Sequence, residues 1–144
     1  MWLSRWFKQR QAERRIAQER PRILAVSVFV IDRLVLERQC KRHGWELQFT
    51  NSPRDAFNLV SRQHFELILC YRQQPGYPWR EVIDRLAGIS PRSRILLVSP
   101  VSDQYLWRAV IEQGGFDILT SPLRDNDVLP LMNAEAHFAS HGAR

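Results

Sequence analysis

No apolar run in this chain approaches the ~20 residues that cross a bilayer. The aromatic pairs near its start, Trp2-Leu3 and Trp6-Phe7, are interrupted by Arg5 and Lys8. A membrane span and the core of a secretory leader are thus both missing, and the expected compartment is the cytoplasm. Cysteine is scarce, with Cys40 and Cys70 the two in 144 residues. Both lie in apolar segments, which suits reduced packing residues better than a disulfide or a metal pair. No nucleophile elbow, Ser-His-Asp order, phosphate-binding glycine loop or zinc spacing occurs. No enzyme class is indicated, and neither a cofactor nor a resident metal is expected. His137 and His141 are four apart, but no third ligand of the usual kind lies near them in sequence, and they read as a solvated pair. His43 and His64 read as polar helix ends. Repeats and low-complexity stretches are also missing.

What is present is an ordinary globular composition, 44% hydrophobic and 25% charged, with enough length for one domain and a proper core. The charge is unevenly placed. Residues 1–22 hold seven basic residues and two acids, a net +5 of the chain's formal +6. The basic signal therefore belongs to a tail, and the body is near neutral.

Residues 1–21 read as a basic amphipathic helix closed by Pro21, with Trp2, Leu3, Trp6 and Phe7 at helical spacing. The body, residues 22–138, alternates strand and helix five times. Strands are predicted at 22–29, 45–49, 65–71, 94–99 and 116–120. The helix after the first strand starts near Asp32, taken as its N-cap, and stops at Gly44. The second helix opens on Ser52-Pro53 and runs to about Gln63. The third covers 79–89, the fourth starts at Ser102-Asp103 and ends at Gly114-Gly115, and the last spans roughly 125–138, with Pro130 awkward inside it. Residues 139–144 read as a frayed tail. This alternation predicts an α/β fold: a doubly wound, flavodoxin-like, five-stranded parallel sheet of order 2-1-3-4-5, with the N-terminal helix added. The alternating pattern of 45–49 predicts an edge strand.

The stretch FELILCYRQQPGYPW, Phe65 to Trp79, carries the functional reading. An apolar run closed by turn residues suits a strand buried on both faces, and in such sheets ligands sit just beyond the carboxyl ends of the strands. That place is held by Tyr71, not by an acid. Ser27, Ser99 and Ser121 are expected to converge with Tyr71 there, either as a self-satisfied hydroxyl cluster, the favoured reading, or as a small polar pocket.

Three phrases, FELILCYRQQPG, ILLVS and EQGGFDILTSPL, make residues 22–138 resemble the receiver domain of bacterial response regulators, the CheY-like family. The resemblance implies a signalling domain of a two-component system, and a cis bond before Pro122. It does not carry the chemistry. The family's two Mg²⁺-binding acids match Ser27 and Val28, its phosphoacceptor aspartate matches Tyr71, its lysine matches Ser121 and its switch aromatic matches Ile118. Ser99 and Pro122 are retained. Mg²⁺ is a hard cation that requires carboxylate oxygens, and a phenol forms no acyl phosphate. The expectation is a pseudo-receiver that acts by protein–protein interaction without phosphorylation; a residual phosphorelay role ranks lowest. The resemblance also points to Tyr105, Trp107 and Ile118 as interface candidates, on the family's usual dimer or output face. For Trp2, Leu3, Trp6 and Phe7, packing on the chain's own domain or on a second copy ranks first, an anionic membrane surface next, as a tether at the inner face of the membrane, and nucleic acid last.

Overall fold

Parallel strands need a crossover, and three of the four crossover helices here are begun or stopped by a local cap. The computed structural model describes residues 3–8, 10 and 20–133. From Arg22 the element order is β1 (Arg22–Val26), α1 (Val30–His43), β2 (Glu46–Thr50), α2 (Pro53–Val60), β3 (Leu67–Tyr71), α3 (Trp79–Ile89), β4 (Arg94–Ser99), α4 (Gln104–Glu112), β5 (Asp117–Thr120) and the short α5 (Leu129–Met132). Residues 3–8 are also helical. The strands form one parallel sheet of order β2-β1-β3-β4-β5, as the alternation predicts, with β2 at an edge.

The helix boundaries follow their caps. Ser52 accepts from the Asp55 N–H at 3.2 Å, with Pro53 in the first turn. Asp103 does the same for the Leu106 N–H at 2.7 Å. Gly44 takes the left-handed φ of 71° that closes α1. Past α4, a Cβ on Gly115 would lie 2.5 Å from Cγ1 of Val110, so only glycine fits that return to the sheet.

The central strand β3 is buried along its whole length, and its side chains divide between two cores. Ile68 and Cys70 pack with Ala56, Val60, Val82, Ile83, Leu86 and Val110 of α2, α3 and α4. Leu67, Leu69 and Tyr71 pack with Leu36 and Cys40 of α1, Leu119 of β5 and Leu131 of α5. Each fully buried side chain of this kind contributes ~1.5–3 kcal/mol relative to exposure. Alternation along β3 thus sends Tyr71 to the face covered by α1 and α5, which decides the composition of the site.

Several boundaries differ from the sequence reading. β1 stops at Val26, because Ser27 turns to a φ of 56°, a left-handed conformation rare for a residue with a side chain. α1 starts at Val30 with Phe29 at the cap position; Asp32 is not the cap but a buried residue of the first turn. α2 stops at Val60, short of Gln63. Pro130 lies in the first turn of α5, where its missing N–H costs nothing. Trp2, Arg14, Arg15, Ile16, His137, His141 and the 139–144 tail lie outside the described residues, as does the predicted last helix beyond Asn133.

Candidate functional site

The carboxyl end of β3, the first turn of α1 and the connection after β5 meet around one carboxylate, that of Asp32. Asp32 and Tyr71 are both 0% exposed. The Tyr71 hydroxyl donates to Oδ2 of Asp32 at 2.8 Å. The Ser121 hydroxyl donates to the same oxygen at 2.6 Å. Oδ1 accepts the backbone N–H of Leu123 at 2.8 Å. Three donors from two further elements therefore compensate the burial of this acid, as a desolvated carboxylate requires. Burial first, then the hydrogen bond to Asp32 and its charge, push the Tyr71 phenol far above its ordinary range. The phenol stays protonated and serves as a donor.

The surroundings hold this group in place. The Phe29 ring meets the Tyr71 ring edge-on, centroids 4.9 Å apart. Gln74 donates through Nε2 to the Tyr71 carbonyl at 2.7 Å and the Val26 carbonyl at 3.3 Å, fastening the loop after β3 to the ends of both strands. Arg38 of α1 hydrogen-bonds Asp125, and this contact holds the Asp125 carboxyl below its usual range. Ser121-Pro122 is a cis peptide, as the resemblance implies.

The expected hydroxyl cluster is thus corrected in two ways. Tyr71 and Ser121 do come together, but on an acid that the sequence reading placed at a helix cap. Ser27 and Ser99 do not join them. The Ser27 hydroxyl donates to the Asn51 carbonyl at 3.2 Å, and the Ser99 hydroxyl accepts the Val101 N–H at 3.3 Å. Val28 is half-buried against the α1 side of the core. Of the interface candidates, Tyr105 is 90% exposed, whereas Trp107 and Ile118 are half-buried. Leu3, Trp6 and Phe7 are exposed, so packing on the chain's own domain is not found for the described part of the stripe. Cys40 and Cys70 are free and buried; burial raises both thiols, Cys40 to about 11.

One surface escaped the sequence reading. Val30, Ile31 and Leu34 on the outer face of α1 are 82%, 65% and 62% exposed, and Phe29 adjoins them. The signal was available: at 100° per residue, the apolar residues 30, 31, 34, 35 and 36 cover two sides of the helix, more than one core can bury. Among the described residues, no group of three His, Cys, Asp or Glu side chains is placed to hold a metal ion. Nor is any helix among them long and apolar enough to cross a membrane.

No family model matches the chain. It is 24% identical over 122 residues to the two-component response regulator ORR3 of rice, covering 82% of this chain and 92% of that protein. Among solved structures, a response regulator from Thermotoga maritima superposes with a TM-score of 0.71 at 17% identity, over 83% of this chain and 99% of that one. The signal receiver domain of an HD domain-containing protein from Pseudomonas fluorescens gives 0.69 at 24% identity, over 87% and 93%. Sheet order, crossover helices and these likenesses agree: the chain has the fold of a response-regulator receiver domain, the CheY-like flavodoxin fold.

Proposed function

We propose that the chain is a non-catalytic signalling module of the response-regulator kind that acts through protein contacts, with no phosphoryl switch. The observation that carries this reading is Tyr71, at the carboxyl end of β3, bonded to a buried Asp32. Receiver chemistry needs an accessible carboxylate there and a Mg²⁺ ion, which prefers carboxylate and water oxygens in octahedral array. The residues present do not fit that ion. Asp32 is fully buried with both oxygens engaged, the Ser27 hydroxyl is turned to Asn51, and Tyr71 offers a protonated phenol. The same three bonds pin the connection after β5 to α1 and β3 without any phosphoryl group, which favours a module held in one state. The exposed Val30, Ile31 and Leu34 beside it suit a protein partner, since apolar patches of this kind mark interaction surfaces.

Incubation with acetyl phosphate and Mg²⁺, followed by mass spectrometry, tests the reading. No base-labile phosphate is expected on the peptide spanning residues 65–80, and finding one there defeats the proposal. Tyr71→Asp alone is expected to remain unphosphorylated, because Ser27 and Val28 supply no metal-binding acids.

A second reading is favoured by the exposed Leu3, Trp6 and Phe7: the N-terminal helix is an interaction stripe that tethers the module elsewhere.

A further inference from the structure

The stripe on the N-terminal helix has a definite chemistry. Leu3, Trp6 and Phe7 follow one another at i, i+3 and i+4 on a single face and are 66%, 51% and 57% exposed. Arg10 continues that face and places its guanidinium 5.1 Å from the Trp6 ring centroid. Arg5 and Lys8 fall on the opposite side. The first ten residues contain these three cations and no acid.

We infer that this helix docks on an anionic lipid surface; the inference rests on the tethering reading and names its partner. Aromatic and aliphatic residues on one face of a helix, with cations on the other, are what the headgroup region accepts: rings enter the interface and cations remain at the phosphate level. The competing partners fit less well. Among the described residues, the chain's own body leaves Leu3, Trp6 and Phe7 uncovered. A second copy offers the apolar patch of α1, but Arg33, Arg38, Lys41 and Arg42 border that patch, and even with Glu37 and Asp125 paired to Arg33 and Arg38 the border keeps two cations in excess. Cationic helix would then meet cationic helix. Nucleic acid would satisfy Arg5, Lys8 and Arg10 while leaving Leu3, Trp6 and Phe7 in water. A near-neutral body leaves the tail to set the attraction.

The test is sedimentation of the full chain with phosphatidylcholine vesicles, with and without phosphatidylserine, alongside velocity ultracentrifugation without lipid. The chain is expected to pellet with the phosphatidylserine vesicles alone. Arg5→Gln with Lys8→Gln should weaken that binding roughly twenty-five-fold, at about five-fold per cation near the surface. Trp6→Ala with Phe7→Ala should abolish it. No binding to phosphatidylserine vesicles, or binding untouched by the aromatic changes, overturns the lipid assignment. If the aromatic changes then reduce self-association instead, the stripe keeps its tethering role with a protein partner. If they change neither, the tethering reading fails too. Salt-sensitive retention on duplex DNA that survives the aromatic changes also overturns the lipid assignment.

Discussion

Asp32 shows how one residue can be misplaced by local rules and fixed by tertiary ones. An aspartate shortly after a strand, ahead of a helix, has the chemistry of an N-cap. The cap position went to Phe29, whose carbonyl accepts the N–H groups of both Asp32 and Arg33. Asp32 was then free to turn inward to donors from β3 and the connection after β5, partners 39 to 91 residues away in sequence. No window along the chain reveals such partners, whereas the burial of Tyr71 was legible because it rests on the unbroken apolar run before it. A pH measurement tests the network. The Tyr71 phenol is raised above its ordinary 10.0 in the fold, so between those values the folded chain holds a proton that the unfolded chain has lost. That contribution to stability is complete below about pH 10 and falls as pH rises, by up to ~1.4 kcal/mol per unit. The buried thiols act in the same direction from about their ordinary 9.0. Urea denaturation of the wild type and Tyr71→Phe from pH 8 to 11 separates them. The variant should be less stable at pH 8 by ~1–3 kcal/mol, for an underpaired Asp32, and lose less as pH rises. Parallel losses in the two proteins would mean that Tyr71 is not the buried donor.

At the scale of elements, most of the fold was legible. Ser52-Pro53, Asp103, Gly44 and the Gly114-Gly115 pair are local devices, and each acts where the sequence reading put it. Parallel order followed from alternation, since a strand can rejoin its sheet in parallel only through a crossover. α1 was less legible, because its apolar residues outnumber what one face can bury. The structure divides them: Leu36 is 0% exposed and Val30 is 82% exposed. Chemical denaturation should therefore rank variants on this helix sharply. Leu36→Ala is expected to cost ~2–5 kcal/mol through the cavity it leaves. Val30→Ser with Ile31→Ser is expected to stay within about 1 kcal/mol of wild type, as exposed sites do. If the double serine change destabilises as much as Leu36→Ala, the outer face of α1 is core and offers no surface to a partner.

The whole molecule combines a near-neutral receiver fold with a basic aromatic helix. The fold came from patterning and the likeness to solved structures, but fold alone does not carry activity. On the proposed reading, what separates this chain from a phosphorylated receiver is the carboxyl end of β3: Tyr71 stands there, and it converges with Ser121 and the Leu123 N–H on the buried Asp32. The connection after β5 is tied down by side chains already present, and if the proposed reading holds, a phosphoryl mimic finds no accessible carboxylate to bind and no loop to move. Beryllofluoride with Mg²⁺, added while amide nitrogen–proton NMR spectra are recorded, addresses this most directly. The spectra should superimpose with and without it, including the amides of Tyr71, Ser99, Ser121 and Leu123. Saturable shifts at those amides, dependent on both Mg²⁺ and beryllofluoride, would contradict a module without a phosphoryl switch.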